Sequence, residues 1–170
     1  MKIILETDRI ILRPWKHSDI SDYHKMMDNP LVLKYLPIDH FTLEDAETKI
    51  QSRIDQQNDH GFCIWAMVLK ENNKLIGHCG LQYICETKDI EVGYALSPDQ
   101  WNRGLATEAA KASLDYGFKT LRLGIILGLV FPDNKSSKHI LKKIGMKYVG
   151  ITGKYYNANE MLLYELTSAL

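Results

Sequence analysis

Asn102-Arg103-Gly104-Leu105-Ala106-Thr107 and Asn134-Lys135-Ser136-Ser137-Lys138 each follow a strand-like run and open a helix-like one. A helix start at Gly104 offers unpartnered backbone N–H groups at the positive end of the helix dipole, and such groups attract phosphate. At the second motif an Asn amide and a Ser hydroxyl can grip an amide-bearing ligand, and both residues also suit helix caps. Together the motifs predict a ligand with a pyrophosphate at one end and a peptide-like arm at the other. The chain has neither G-x-x-x-x-G-K-[ST] nor G-x-G-x-x-G, the usual loops that cradle nucleotide or dinucleotide phosphates.

Coenzyme A has that shape. Glu91-Val92-Gly93-Tyr94-Ala95-Leu96, then Asn102 to Glu108, then Asn134-x-x-Ser137 and Ile144-Gly145-Met146, resemble the GNAT superfamily of acetyl-CoA-dependent N-acetyltransferases. The opening Thr7-Asp8-Arg9-Ile10-Ile11-Leu12-Arg13-Pro14 is similar to the RimJ/RimL-like branch, whose best-known members acetylate N-termini of ribosomal proteins. The resemblance spans Thr7 to about Leu166. Two departures stand out. Trp101 replaces the Gln or Arg of many members, and Tyr155-Tyr156 stands where RimL-type enzymes carry a catalytic Glu, so a ribosomal substrate does not carry over.

Acetyl transfer to an amine needs a neutral nucleophile, a stabilised oxyanion and a departing thiolate. A thiol with a pKa of about 8.5 leaves readily near neutral pH. An α-amine of pKa about 7.7–8.0 is partly neutral already, whereas a lysine amine near 10.4 needs a base. The resemblance implies that base at Glu91, and partial burial would raise its pKa toward the working range. The same position suits an ordinary strand-end carboxylate paired with a lysine. By resemblance the main-chain amides of Tyr94 and Leu96 face the acetyl carbonyl and the pantetheine. Asn102, Arg103, Gly104, Leu105, Ala106 and Thr107 then form the pyrophosphate turn, and Glu108 reads as a first-turn dipole partner. Asn134 is implied to bond the pantetheine amide, and Ser137 to lie near the sulfur and protonate it. Lys138 is implied to meet the CoA phosphates, although a solvated lysine fits there too.

The chain has 170 residues, 45% hydrophobic and 25% charged, which suits one globular domain over residues 1–170. Lys+Arg and Asp+Glu both number 21, so no whole-molecule field favours nucleic acid. No apolar run is long enough for a bilayer, and a cytoplasmic location is expected. Cys63, Cys79 and Cys85 form no C-x-x-C pair, and neither a disulfide scaffold nor a metal site is expected. The partner expected is a primary-amine acceptor, either a small molecule or a protein N-terminus. A homodimer is compatible with the resemblance, and a non-catalytic acyl-CoA-binding module is the alternative function.

These residues must be positioned by a mixed α/β (α+β) architecture. Ile10–Arg13, Phe62–Leu69, Leu75–Ile84 and Ile90–Leu96 read as strands, with polar turns at Asn72-Asn73 and Thr87-Lys88-Asp89 making the later ones antiparallel. Ser18 or Asp19 can cap a helix ending near Met27, before Pro30. Thr42-x-x-Asp45 is a capping box, after which Ala46, Ile50 and Ile54 share a face. Leu105 to Lys119 predicts a helix burying Leu105, Ala109, Ala112 and Tyr116. Leu123–Phe131 predicts a buried strand, Ser137–Ile144 a helix stopped by Gly145, and Tyr148–Thr152 and Met161–Leu166 the last strands. The strand–helix–strand unit from Ile90 to Phe131 needs a parallel crossover. The resemblance adds that this parallel pair splays apart to admit the pantetheine arm. It also places acceptor contacts in Ser18 to His60 and the final hairpin, with Lys34-Tyr35-Leu36-Pro37 and Tyr155-Tyr156 as lining residues.

Overall fold

Strand and helix formation follow the sequence pattern closely. The computed structural model describes residues 3–35, 38–84, 87–156 and 160–168, so Leu36, Pro37 and Cys85 lie outside the described residues. The chain runs β1 (Leu5–Glu6), β2 (Ile10–Arg13), α1 (Ile20–Met27), α2 (Pro30–Leu33), α3 (Leu43–His60), β3 (Ile64–Leu69), β4 (Lys74–Tyr83) and β5 (Ile90–Leu96). It continues through α4 (Leu105–Lys119), β6 (Ile125–Val130), α5 (Lys135–Lys143), β7 (Lys147–Thr152) and β8 (Met161–Thr167). The eight strands form one sheet in the order β1-β2-β3-β4-β5-β6-β8-β7. Every neighbouring pair is antiparallel except β5 and β6, which are parallel.

Helix ends obey their capping chemistry. Thr42 and Asp45 form a reciprocal capping box on α3, and left-handed Gly61 ends it. Asn29 caps α2, with Pro30 in the first turn, where its missing N–H is harmless. Asp19 departs from expectation. Its carboxylate makes no side-chain cap on α1. It instead accepts from both terminal nitrogens of Arg13, at 2.7 and 2.8 Å, and from the Lys16 N–H. A guanidinium buried on β2 binds that carboxylate more strongly than a helix end does.

The two long helices cover opposite faces of the sheet. On one, α4 buries Leu105, Ala109, Ala110, Ser113, Leu114 and Gly117, and the expected Ala112 and Tyr116 are only half-buried. The buried stripe is rotated because small residues admit the closest approach. A β-carbon at Gly117 would stand 2.6 Å from Ile126 Cδ1 and 2.8 Å from Leu81 Cδ1. Ser113 satisfies its buried hydroxyl on the Ala109 carbonyl at 2.9 Å. On the other face α3 buries Ala46 and Ile50 as expected, but the third buried residue is Arg53, and Ile54 is half-buried. Trp15, Tyr23, Met26, Met27 and Phe41 complete that second core.

Candidate active site

β5 and β6 share a single register pair, Glu91 with Leu127. By contrast β4 and β5 pair continuously from Gly77–Leu96 to Tyr83–Ile90. The parallel strands therefore part beyond Glu91, and the sheet opens between Gly93–Leu96 and the end of β6. Tyr94 reaches from β5 to α5, its hydroxyl 2.9 Å from Ser137 Oγ and 3.3 Å from the Ser137 carbonyl. Burial pushes the Tyr94 phenol well above its ordinary pKa, so it keeps its proton at neutral pH. Asn134 caps α5 by accepting from the Ser137 N–H at 3.0 Å.

The turn before α4 lies at the same mouth. Asn102 and Gly104 are both left-handed, with φ of 59° and 76°. Glycine takes that conformation without strain, and no side chain caps the first N–H groups of α4. Trp101 donates its indole N–H to the Leu96 carbonyl at 2.9 Å, and Arg103 donates to Gln100 at 2.6 Å. Glu108 in the first turn accepts from Thr7 Oγ1 at 2.6 Å, the Arg9 N–H at 3.0 Å and Arg9 Nε at 2.8 Å. Arg9 also donates to the Arg103 carbonyl at 2.9 Å. Partial burial raises the Glu108 pKa, but these bonds outweigh it and the net shift is downward. The turn is thus clamped to the β1–β2 connection by a pair that sequence spacing did not reveal.

Glu91 sits where the parallel strands begin to part, and it is only 6% exposed. Gln82, its cross-strand partner on β4, donates to Oε1 at 2.7 Å, and the Tyr156 hydroxyl donates to the same oxygen. Burial raises the Glu91 pKa, while the bonds from Tyr156 and Gln82 and the charge of Lys49 hold the rise back. The β7–β8 connection that carries Tyr156 is tied down beside β5. Asp89 accepts from Lys154 Nζ and from the Tyr155 hydroxyl, both at 2.8 Å. Those bonds hold the Asp89 carboxyl below its ordinary pKa.

A buried carboxyl of raised pKa, a protonated phenol beside a serine, and a bare helix start around one opening in the sheet are the parts of an acyl-transfer site. Residues 9–147 match the family model of the acetyltransferase (GNAT) domain. The chain belongs to the GNAT acetyltransferase family. It is 30% identical to the uncharacterized N-acetyltransferase YnaD of Bacillus subtilis (strain 168), over 88% of this chain and 86% of that protein. It is 28% identical to the spermidine N(1)-acetyltransferase of Escherichia coli (strain K12), over 91% of this chain and 85% of that one. Among solved structures, a GNAT-family acetyltransferase from Bacillus anthracis superposes with a TM-score of 0.82 at 27% identity, covering 98% of both chains. This GNAT protein is therefore an enzyme, an N-acetyltransferase of a family that uses acetyl-CoA.

Of the expected site residues of this acetyltransferase, the structure brings Tyr94 and Ser137 into contact and ties the turn before α4 to Leu96 through Trp101. Glu91, Tyr94 and Leu96 lie on β5, Asn102 to Thr107 at the start of α4, and Asn134 and Ser137 at the start of α5. Lys138 is more committed than expected, because its Nζ donates to the Pro132 carbonyl at 2.6 Å. The partners missed from sequence divide into two kinds. Gln82 was within reach, since the Thr87–Asp89 turn fixes it opposite Glu91. Arg9 and Asp89 come from connections between elements and carry no periodic signal, and Tyr156, expected only as a lining residue of the final hairpin, bonds Glu91 itself. Cys63 and Cys79 are buried thiols pushed up to about 12, which suits packing and not nucleophilic chemistry. Among the described residues no cluster of three or more His, Cys, Asp or Glu could hold a metal.

Proposed function

We propose that Glu91 takes the proton of a primary amine as it attacks the acetyl-CoA thioester directly. What carries this reading is a buried carboxyl of raised pKa standing where β5 and β6 part. A raised pKa makes the carboxylate a better acceptor for an amine proton. The backbone amide of Tyr94 would stabilise the oxyanion, and that of Leu96 would hold the pantetheine. Ser137, backed by the Tyr94 hydroxyl at 2.9 Å, would return a proton to the departing thiolate. The N–H groups of Arg103, Gly104, Leu105, Ala106 and Thr107 would bind the pyrophosphate, with Asn102 shaping the turn, and Asn134 and Lys138 would meet the pantetheine and phosphates. Left-handed Gly104 supports the fit, because no side chain caps the start of α4 and the nearest group, Arg9 Nη2, stands 3.7 Å from where a β-carbon would be.

The acceptor in this reading is a small-molecule amine or a protein N-terminus, reached from the α1–α3 side as in a RimJ/RimL-like enzyme. The test is incubation with acetyl-CoA and a panel of primary amines and peptides, with thiol release followed alongside mass spectrometry of both acceptor and enzyme. Thiol release matched by amide formation, with no acetyl group on the enzyme, is the expected result. An acetylated enzyme intermediate would overturn direct attack.

A further inference from the structure

Two side chains on the acceptor side bury polar atoms that have no partner. Arg53 of α3 is 5% exposed, and its Nε and Nη1 have no hydrogen-bond partner. His78 of β4 is 7% exposed, and its Nδ1 is likewise unpartnered. The guanidinium carbon lies 5.1 Å from the ring centres of both Trp15 and Tyr23, and Tyr23 meets His78 edge-on at 5.8 Å. Asp19, the buried carboxylate of this layer, is already occupied by Arg13. Aromatic faces soften a buried cation but leave its N–H donors unmet, and such donors are rare in folded proteins unless something completes them. His78 is held neutral by burial and by the nearby charges of Arg53 and Lys49. Among the described residues, no carboxylate is hydrogen-bonded or ion-paired to this guanidinium, and Asp19 is committed to Arg13.

This cluster shares a sheet face with Glu91. Across β4 and β5, His78 pairs with Ala95, Gly80 with Gly93, and Gln82 with Glu91, so these residues project to one side. Between the two ends the strip is apolar, because the Ile64 side chain fills the space over Gly93, its Cδ1 2.5 Å from where a β-carbon would stand. Gly93 and Ala95 are partly exposed, so solvent reaches this strip beside His78. Ala95 lies four residues along β5 from Glu91. At about 3.3 Å per residue, the two ends of the strip are about 13 Å apart.

We infer that the acceptor is an amine that also carries a carboxylate, with the amine at Glu91 and the carboxylate, about 13 Å away, directed to Arg53 and His78. The inference rests on Glu91 as proton acceptor and narrows the acceptor class. A carboxylate completes the unmet donors, whereas the second ammonium of a polyamine would face an uncompensated guanidinium. This chain then differs in acceptor from its spermidine-acetylating relative.

The test is the ratio of kcat/KM for ω-amino acids of stepped chain length to that for α,ω-diamines of matched length. The wild-type enzyme is expected to favour the amino acids by about tenfold or more, with an optimum near the predicted span. Arg53→Gln should lower that ratio through the KM of the acceptor while the KM for acetyl-CoA stays put, and His78→Asn should do the same more weakly. Diamines used as well as or better than the amino acids would overturn the inference. If Arg53→Gln does not fold, the wild-type ratio decides alone. If neither series turns over, the CoA-saturated enzyme should still gain more thermal stability from the amino acids than from the diamines, and equal or absent gains count against the proposal. The base is tested separately, because Glu91→Gln changes the rate for both series and leaves their ratio unchanged.

Discussion

On the α4 face and at the opening of the sheet, polar groups are supplied by backbone at element ends, whereas on the α1–α3 face they are buried side chains. The start of α4 needs only a left-handed glycine, and the start of α5 only an Asn cap. The other face buries Arg13 with Asp19, Arg53 among aromatic rings, and Glu91 beneath Gln82 and Tyr156. Backbone donors bind a fixed part, such as a pyrophosphate, whatever side chains surround them. Buried side chains can be changed one at a time, so the second face is where acceptor preference can diverge between relatives that keep one donor.

If that division holds, each face should fail in its own way. The largest effect belongs to Gly104→Glu, which adds a carboxylate over the first N–H groups of α4 and forces an L residue into the left-handed region at φ 76°. CoA binding should be abolished by calorimetry while the fold survives, because the site has no steric conflict with the protein itself. On the other face Asp19→Ala leaves Arg13 charged and buried. Breaking such a pair typically costs about 3–5 kcal/mol. Denaturant unfolding should show that loss, and CoA affinity of the fraction still folded should barely change.

Smaller effects sharpen the contrast. Asn134→Ala removes the α5 cap and should cost about 1 kcal/mol of stability. Because the same amide is proposed to bond the pantetheine, CoA affinity should also fall, by about 0.5–1.5 kcal/mol. A drop in stability with unchanged CoA affinity would reduce Asn134 to a cap. Tyr156→Phe is the subtlest. The tyrosine hydroxyl favours ionised Glu91 and so holds its raised pKa down. Without it that pKa should climb further. A base works only when deprotonated, so the acid limb of the kcat/KM profile should move to higher pH, with the plateau kept. An acid limb unchanged in position would break the link between the β7–β8 connection and the base.

The sequence made the α4 face legible because its information is local. A glycine after a strand, an alanine-rich amphipathic run and an Asn-x-x-Ser start each declare themselves within a few residues, and α4 spans Leu105–Lys119 as expected. The exact stripe it buries was not legible, since Gly117 allows a close approach to Leu81 and Ile126 that periodicity cannot see. The parallel crossover was readable from topology, but its opening after one register pair came only from family resemblance. On the α1–α3 face, Arg53 sits where the apolar pattern pointed to Ile54, because stacking on Trp15 and Tyr23 lets a charged residue take an inward position. Tyr156 reaches Glu91 from 65 residues away through a connection without periodicity.

The most direct measurement is the pH dependence of kcat for Glu91→Gln against the wild-type enzyme, with CoA affinity measured in parallel. The substitution keeps the shape of the side chain and removes the titrating group. CoA affinity should be unchanged, and kcat near neutral pH should fall by about 10²–10⁴-fold. The deficit should shrink as pH approaches the pKa of the amine, and it should be smaller for an α-amine than for a lysine-like one. A variant with nearly wild-type kcat at about pH 6.5, where the amine is mostly protonated, would show that Glu91 is structural and that the proton leaves by another route.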